Sequence, residues 1–197
     1  MKPAPFSYYR ATSVEDAITA LSSADGMAAV LAGGQSLVPM LNLRLSPVDY
    51  LIDLRPIAAL SRQQETPEAI CYGALTTHAA FEDGVVPDGT NGLMRYVASR
   101  IAYRAVRNRG TLGGALALAD PAADWLTTAV ALDATVTLTG PDGQRRHAQD
   151  GRCQKRIADG ALPPSAEAPT PRALGMRSNH GAMRATRLSV HRRDVHG

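Results

Sequence analysis

The chain has 197 residues, enough for one ordinary domain or two small ones, and its 45% hydrophobic content allows a substantial core. No stretch approaches the roughly 20 apolar residues that cross a membrane, and the N-terminal segment lacks the apolar run of a signal peptide. Cys71 and Cys153 have no CxxC spacing, which argues against a zinc site or an iron–sulfur cluster held by this chain. We therefore expect a cytoplasmic protein with no membrane span and no metal ligands.

The positive net charge comes from the C-terminal quarter of the chain. Residues 151–197 contain nine Lys and Arg against three Asp and Glu, whereas residues 1–150 contain twelve against fifteen. The C-terminal segment has no aromatic residue, and its Ile, Leu, Val and Phe content is well below the roughly 20% typical of folding segments. It also lacks the basic runs of nucleic-acid-binding arms. We interpret residues 149–197 as a basic, disordered tail without a nucleic-acid partner; a change of reading frame near Gln149 is another origin for this composition.

The first third of the chain predicts a βαβ unit. Ser13 can cap a helix, because its hydroxyl can accept from an amide of the first turn and the acids that follow face the positive end of the helix dipole. Apolar spacing and stop signals predict a helix from 13 to about 26, a strand over 28–32, a helix from 36 or 37 to 43, and a strand over 50–54. A crossover between parallel strands places the loop that contains Gly33 and Gly34 at a helix N-terminus.

The middle of the chain predicts a second α/β unit. Thr77 can cap a short helix, and Asp120-Pro121 has the form of a cap followed by proline at the first helical position. The predicted elements are a turn region over 62–68, a strand over 69–75, the helix after Thr77, a longer helix over about 92–106, a helix from 120 to about 132, and a strand over 134–139. We place the two units at residues 1–58 and 59–148.

Two glycine pairs, Gly33-Gly34 and Gly113-Gly114, bear most directly on function. Glycine allows positive φ angles and leaves the backbone unobstructed by Cβ, so that several amides can point at one anion such as a pyrophosphate. Ser36 can add a hydroxyl to the first site. Neither pair matches GxGxxG or GxxxxGK[ST], so neither a Rossmann dinucleotide site nor a P-loop is indicated. For each pair alone, a tight turn or close packing is the alternative interpretation.

Residues 3 to about 146 resemble the FAD-binding medium subunit of molybdenum hydroxylases, the xanthine dehydrogenase and carbon monoxide dehydrogenase group. The segments that carry the resemblance are PFSYYRATSVEDAITAL, AGGQSLVPMLNLRL, YLIDL and RNRGTLGGALALADPAADW. It implies a mixed α+β or α/β fold of the vanillyl-alcohol oxidase (PCMH) type, in which two small α/β subdomains hold FAD between them. It also implies a C-terminal domain that is not recognisable after residue 148, so the chain is interpreted as a truncated or frame-shifted member.

The resemblance implies which residues contact FAD. The contacts form two segments, the first around the pyrophosphate: Ala32, Gly33, Gly34, Gln35 and Ser36, then Thr111, Leu112, Gly113, Gly114 and Ala115. Asp124 is implied to accept from polyol hydroxyls of the cofactor, with a salt bridge on the helix face as the alternative. Relatives usually have Ser or Asn at the position of Ala115 and His or Thr at that of Leu118. We expect each lost side chain to weaken FAD binding by about 1 kcal/mol.

The implied function is electron transfer, for which the chain supplies no catalytic acid, base or nucleophile because the flavin does the chemistry. In the family, a large partner subunit holds the molybdenum cofactor and a small partner subunit holds two [2Fe–2S] clusters. The FAD of the medium subunit passes the electrons to NAD, a quinone or oxygen. The alternatives are a non-catalytic remnant and a stand-alone module that binds a smaller nucleotide or phosphate.

Each of the other polar and aromatic residues near these segments can be interpreted as either structural or functional. His78 is interpreted as a helix-start residue rather than a base. Three aromatic residues are interpreted as packing or interface residues rather than flavin-stacking ones: Tyr8, Tyr9 and Trp125. Three arginines precede the second glycine pair and are placed either to meet phosphate or a partner subunit, or to lie on a solvated helix face: Arg104, Arg107 and Arg109.

Overall fold

The computed structural model describes residues 2–148 and 184–191, which form two sheets with helices packed against them. Three parallel strands form the first sheet: β1 (Ser7–Arg10), β2 (Ala28–Leu31) and the central β3 (Tyr50–Asp53). Five antiparallel strands form the second: β4 (Gln63–Glu65), β5 (Ala69–Gly73), β6 (Thr135–Gly140), β7 (Gly143–Ala148) and β8 (Arg184–His191). Their order in the sheet is β4-β5-β8-β6-β7. The expected mixed α/β class is confirmed.

The βαβ unit of the first third has the predicted order. Helix α1 (Val14–Ser23) begins after Ser13, whose hydroxyl accepts from the Asp16 amide at 3.0 Å. Helix α2 (Leu37–Asn42) connects β2 to β3, and these parallel strands place Leu31 opposite Asp53. Residues 32–36 therefore leave the carboxyl edge of the first sheet and lead directly into α2.

Four strands were not predicted from the sequence, namely β1, β4, β7 and β8, and two of them, β1 and β4, are short and lie at sheet edges. Every side chain of β1 is exposed, so the strand has none of the apolar alternation that marks a half-buried strand. Strand β4 lies within residues 62–68, which were predicted to form a turn region, and its residues are all polar. Both strands are held by backbone pairing with an apolar neighbour, β1 with β3 and β4 with β5, and local patterns do not report such pairing.

The helices of the second unit lie between β5 and β6 in the chain. They are α3 (His78–Glu82), α4 (Leu93–Arg100), α5 (Arg104–Arg107), α6 (Leu112–Leu118) and α7 (Asp124–Ala131). Thr77 caps α3 as predicted, because its hydroxyl accepts from the Ala80 amide at 3.2 Å. None of the helices in the described ranges is long and apolar enough to cross a membrane.

The single helix predicted over 92–106 is wrong, because the chain breaks between α4 and α5. At the break, Ala102 has a φ of 41° in the left-handed region. The Arg107 guanidinium donates to the carbonyl oxygens of Ile101 and Ala102 at 3.0 and 2.8 Å. These hydrogen bonds satisfy carbonyl groups that the interrupted helix leaves without a backbone donor.

The predicted start of the next helix is also wrong by a few residues. Asp120 was expected to cap it, but its carboxylate accepts from the Ala122 amide at 2.9 Å within a turn. Helix α7 begins later, at Asp124, and ends at Ala131, close to the predicted end. Aspartate before proline is typical of turns as well as of helix caps, so the local signal was ambiguous.

Strand β8 lies between β5 and β6 and joins the two parts of the second sheet. Residues 149–197 were interpreted as a disordered tail, and for the segment that forms β8 this interpretation is wrong. The alternation in Leu188-Ser189-Val190 is a strand signal that the average composition of the segment conceals. The remaining residues of that predicted tail lie outside the described ranges.

The hydrophobic core of the second unit fills the space between its sheet and its helices. Its largest members include Ile70, Tyr72, Phe81, Met94, Leu116, Trp125, Leu126 and Val136. A second cluster of buried residues links the two units, since Leu60 and Leu75 pack with Ile52 of the first sheet. The Leu75 amide also donates to the Leu60 carbonyl at 2.8 Å. These contacts bring the two predicted glycine segments to the same region of the molecule.

Candidate cofactor site

The first glycine loop, residues 32–37, presents a run of free backbone donors at the carboxyl edge of the first sheet. The amides of these six residues donate to no acceptor within the described residues, and the next amide, that of Val38, donates to the Gly34 carbonyl at 3.0 Å. Gly34 has a φ of 72°, a conformation that a residue with a Cβ adopts only under strain. The Ser36 hydroxyl makes no capping hydrogen bond to α2. The loop therefore forms a cradle of hydrogen-bond donors suited to phosphate oxygens.

The second glycine segment, residues 109–115, leads into α6. Thr111 caps this helix, since its hydroxyl accepts from the Gly114 amide at 3.1 Å. The Thr111 amide donates to no acceptor in the part of the chain that the structure describes. Gly114 and Ala115 are half-buried, while Leu118 lies exposed at the end of the helix. Thr111, Gly114 and Ala115 thus stay candidates for contact with a ligand.

Leu112 and Gly113 are engaged in packing inside the protein. The Leu112 amide donates to the Thr76 carbonyl, and the Gly113 amide donates to the Ala74 carbonyl, both at 2.9 Å. A Cβ at Gly113 would lie 2.8 Å from the Cα and from the carbonyl oxygen of Ala74, so only glycine fits there. Close packing, the alternative interpretation of this glycine pair, therefore describes Gly113, and both residues fix the start of α6.

The two glycine segments are in direct contact. A Cβ at Gly33 would lie 2.8 Å from the carbonyl carbon of Arg109 and 2.9 Å from the Gly110 Cα, and it would overlap the Arg109 carbonyl oxygen. A Cβ at Gly114 would lie 3.8 Å from the Ala32 Cβ. The missing side chain of Gly33 thus allows the backbones of the two segments to meet, which places their free amides around one region.

Asp124 begins α7, which packs against α6. Its side chain is exposed and forms no ion pair or hydrogen bond with any residue in the described ranges. The alternative interpretation, a salt bridge on the helix face, therefore has no support in this structure. A carboxylate in this position is available to accept hydrogen bonds from hydroxyl groups of a ligand.

The neighbouring residue, Trp125, forms a buried hydrogen bond that supports the second glycine segment. Its indole donates to Nδ1 of His78 at 2.9 Å, and both side chains are at least 95% buried. His78 is the first residue of α3, and a Cβ at Gly110 would lie 2.7 Å from its Nε2. Burial and the charge of Arg107 lower the pKa of His78 to about 4. A neutral His78 therefore packs under Gly110, in a structural position.

The stability of the protein is expected to fall by about 2 kcal/mol between about pH 7 and pH 5 because of His78. Its pKa is about 4 in the folded protein and 6.5 ordinarily, so the unfolded chain binds a proton more readily. The contribution to stability is complete above pH 6.5 and is lost as the pH falls toward 4. Urea unfolding at both pH values measures the effect. The matched variant His78→Gln, which cannot titrate, should show a smaller difference; an equal difference would assign the pH dependence to other groups.

Two of the three arginines before the second glycine pair are bound to acidic side chains. Arg104 donates to the carboxylates of Glu82 and Asp83 at 2.6 to 2.8 Å. Arg107 donates to Glu82 at 2.8 and 2.9 Å. Their charges are thus matched by acids at the end of α3, whereas the side chain of Arg109 is exposed and has no hydrogen bond or ion pair with a described residue.

Sequence reasoning missed a polar cluster at the same edge of the first sheet as the first glycine loop. Asp53 is 1% exposed, and its carboxylate accepts a hydrogen bond from the Tyr8 hydroxyl. It also accepts two hydrogen bonds from the Arg55 guanidinium, at 2.7 and 2.8 Å. Burial raises the pKa of Asp53, but the hydrogen bonds from Arg55 and Tyr8 outweigh it and lower the pKa to about 2. The available signal was an aspartate that ends an apolar strand with an arginine two residues later. The cluster ties β1 to β3 beside the loop.

The residues at the contact of the two segments fit the diphosphate of a dinucleotide. Seven amides without an acceptor among the described residues, those of 32–37 and of Thr111, lie in two backbone segments that touch at Gly33. A buried donor without an acceptor is costly, and of these seven residues only Ser36 is exposed, so donors grouped in this way favour an anionic ligand. The fold and this cradle are those of a mixed α/β domain with a place suited to the diphosphate of a dinucleotide.

The chain belongs to the family described as the FAD binding domain in molybdopterin dehydrogenase, whose family model matches residues 4–150. It is 40% identical over 146 residues to the 6-hydroxypseudooxynicotine dehydrogenase complex subunit alpha of Paenarthrobacter nicotinovorans, with 74% of this chain and 49% of that protein covered. It is 37% identical over 145 residues to the glyceraldehyde dehydrogenase medium chain of Sulfolobus acidocaldarius, with 74% and 51% covered. The chain thus spans about half the length of these relatives.

Solved structures show the same fold. Carbon monoxide dehydrogenase from Hydrogenophaga pseudoflava matches with a TM-score of 0.79 and 28% identity, over 99% of this chain and 62% of that chain. Quinoline 2-oxidoreductase from Pseudomonas putida 86 matches with a TM-score of 0.78 and 29% identity, over 98% and 61%. The resemblance to the molybdenum hydroxylase group and the expectation of an FAD-binding domain are confirmed.

Proposed function

We propose that the chain binds FAD as part of the medium subunit of a molybdenum-hydroxylase-type dehydrogenase complex. The observation that carries this proposal is the run of six free amides in residues 32–37, held against the second glycine segment at Gly33. Membership of the FAD-binding family supplies the identity of the ligand. Packing against the second glycine segment uses only Gly33 of this loop and does not account for the six amides without an acceptor.

The residues of the site divide the recognition of FAD between them. The amides of residues 32–37, the Ser36 hydroxyl and the Thr111 amide donate to oxygens of the diphosphate. The Asp124 carboxylate accepts from hydroxyl groups of the cofactor's polyol chain. Leu112 and Gly113 hold α6 in position from inside the protein, through the hydrogen bonds to Thr76 and Ala74. When bound, the flavin supplies the redox chemistry, and no side chain acts as a catalytic acid, base or nucleophile.

The proposed place of the chain is in a cytoplasmic heteromer. In this arrangement, a large partner subunit would hold the molybdenum cofactor and a small partner subunit would hold the [2Fe–2S] clusters. FAD bound to this chain would supply the redox chemistry between the clusters and NAD, a quinone or oxygen. The proposal is supported by relatives whose names describe a medium chain or a subunit of a complex. The pairing of subunits concerns the whole protein, of which the described residues form the cofactor-binding part.

Titration of the purified chain with FAD and with ADP tests the proposal. We expect a saturable complex with one FAD per chain, with FAD bound more tightly than ADP because the flavin half adds contacts such as that with Asp124. Flavin fluorescence and absorbance report binding, and far-ultraviolet circular dichroism shows that the chain is folded. A folded chain that binds no FAD would indicate a remnant without cofactor, and equal affinity for ADP and FAD would indicate a module for a smaller nucleotide.

A further inference from the structure

Among the described residues, no group forms a hydrogen bond or an ion pair with the side chain of Arg109, which distinguishes it from Arg104 and Arg107. Arg104 and Arg107 donate to Glu82 or Asp83, so their positive charges are already matched inside the protein. The exposed side chain of Arg109 makes no hydrogen bond or ion pair with any described residue. A free guanidinium next to a buried contact is a candidate for binding an external anion.

The backbone of Arg109 is fixed at the place where the two glycine segments meet. Its carbonyl group lies against Gly33, where a Cβ would approach the carbonyl carbon to 2.8 Å. The amides of Arg109 and Gly110 donate to the Val106 carbonyl at 3.1 and 2.7 Å, and the Gly110 carbonyl accepts from the His78 amide at 3.0 Å. The long side chain of Arg109 therefore starts from a rigid point beside the first glycine loop.

The negative charge of the expected ligand is only partly offset by neutral amides. A dinucleotide diphosphate carries a negative charge on each phosphate, whereas the amides of residues 32–37 are neutral donors that contribute only partial charges. We propose that Arg109 binds the diphosphate of the nucleotide held by the first glycine loop, as the cationic partner of that site. This inference rests on the proposed function, since it assigns the site a nucleoside diphosphate as ligand.

Binding of FAD and of ADP to Arg109→Gln, each at two salt concentrations, tests the inference. A lost charge-assisted hydrogen bond should weaken both ligands about tenfold, because both contain the diphosphate. The affinity of the variant should also depend less on salt, since one ionic contact is removed. Arg109→Lys, which keeps the charge but not the planar fork, should recover part of the affinity. Arg100→Gln is the matched control, an equal charge change at an exposed arginine at the end of α4.

The possible results separate this inference from the proposed function. If Arg109→Gln binds FAD and ADP as tightly as the wild type, Arg109 does not bind the diphosphate. The same conclusion follows if the variant binds more weakly but its affinity depends on salt as strongly as that of the wild type. In both cases the proposed binding of FAD is unaffected. An equal loss in Arg100→Gln would overturn the role of Arg109 as well, because a general change in surface charge would then be responsible. A wild-type chain that binds ADP but not FAD would refute the proposed function, and the Arg109 effect on ADP would still decide the inference.

Discussion

Gly33→Ala is expected to weaken FAD binding by about a hundredfold or more, because its added methyl group would push the two glycine segments apart. The added Cβ would overlap the Arg109 carbonyl oxygen and would lie 2.9 Å from the Gly110 Cα. Both neighbours are backbone atoms that hydrogen bonds hold in place, so the two glycine segments must move apart. The free amides then no longer surround one ligand. Flavin fluorescence titration measures the affinity, and urea unfolding should show a loss of about 2 kcal/mol from overpacking.

Gly92→Ala provides the control for this prediction. Gly92 has a φ of 86° and no atom within 4 Å of the position of a Cβ, so alanine there strains the backbone without touching a neighbour. We expect a modest loss of stability, about 1 kcal/mol, and FAD affinity equal to that of the wild type. Wild-type affinity in Gly33→Ala would show that contact between the two segments is unnecessary for the site. Gly34→Ala adds a second test, because its φ of 72° is needed to shape the loop itself.

Local signals were sufficient to predict the position of the first glycine loop. An apolar strand, two glycines and a short helix follow one another in the sequence, and the structure has β2, the loop and α2 in that order. The caps at Ser13 and Thr77 were equally local, because each hydroxyl accepts from an amide three residues away. The elements that depend on neighbouring residues in the chain could therefore be predicted with nearly correct bounds.

Properties that depend on distant residues could not be predicted. The sequence does not show that Gly33 meets Arg109, because the two are brought together by the packing of the two units. The sequence also offers no signal that distinguishes Arg107 from Arg109, although in the structure Glu82 of α3 binds Arg107 and not Arg109. The exposed strand β1 has no apolar pattern and exists because β3 offers it backbone partners. Contact with Asp53 then holds it at the edge where the site lies.

The position of β8 gives Val190 a role in the core that composition alone concealed. Val190 is 3% exposed and stands opposite Ile70 of β5, which is 1% exposed. The same core contains Trp125, which supports the second glycine segment through His78. A strand from the far end of the described chain thus closes the sheet beneath the candidate site. If β8 holds this position, damage to it should lower the stability of the whole second unit.

Val190→Asp is expected to lower the free energy of unfolding by about 4 kcal/mol, because it places a carboxylate without a partner among apolar side chains. Urea unfolding followed by tryptophan fluorescence measures the loss, since the indole of Trp125 lies in the same core. The matched control is Val85→Asp, the same substitution at a valine that is 74% exposed, with an expected change within about 0.5 kcal/mol. Equal stability of the two variants would contradict the placement of β8 between β5 and β6. A large loss confined to Val190→Asp would instead show that this strand, despite its polar surroundings in the sequence, completes the sheet on which α6 and the second glycine segment rest.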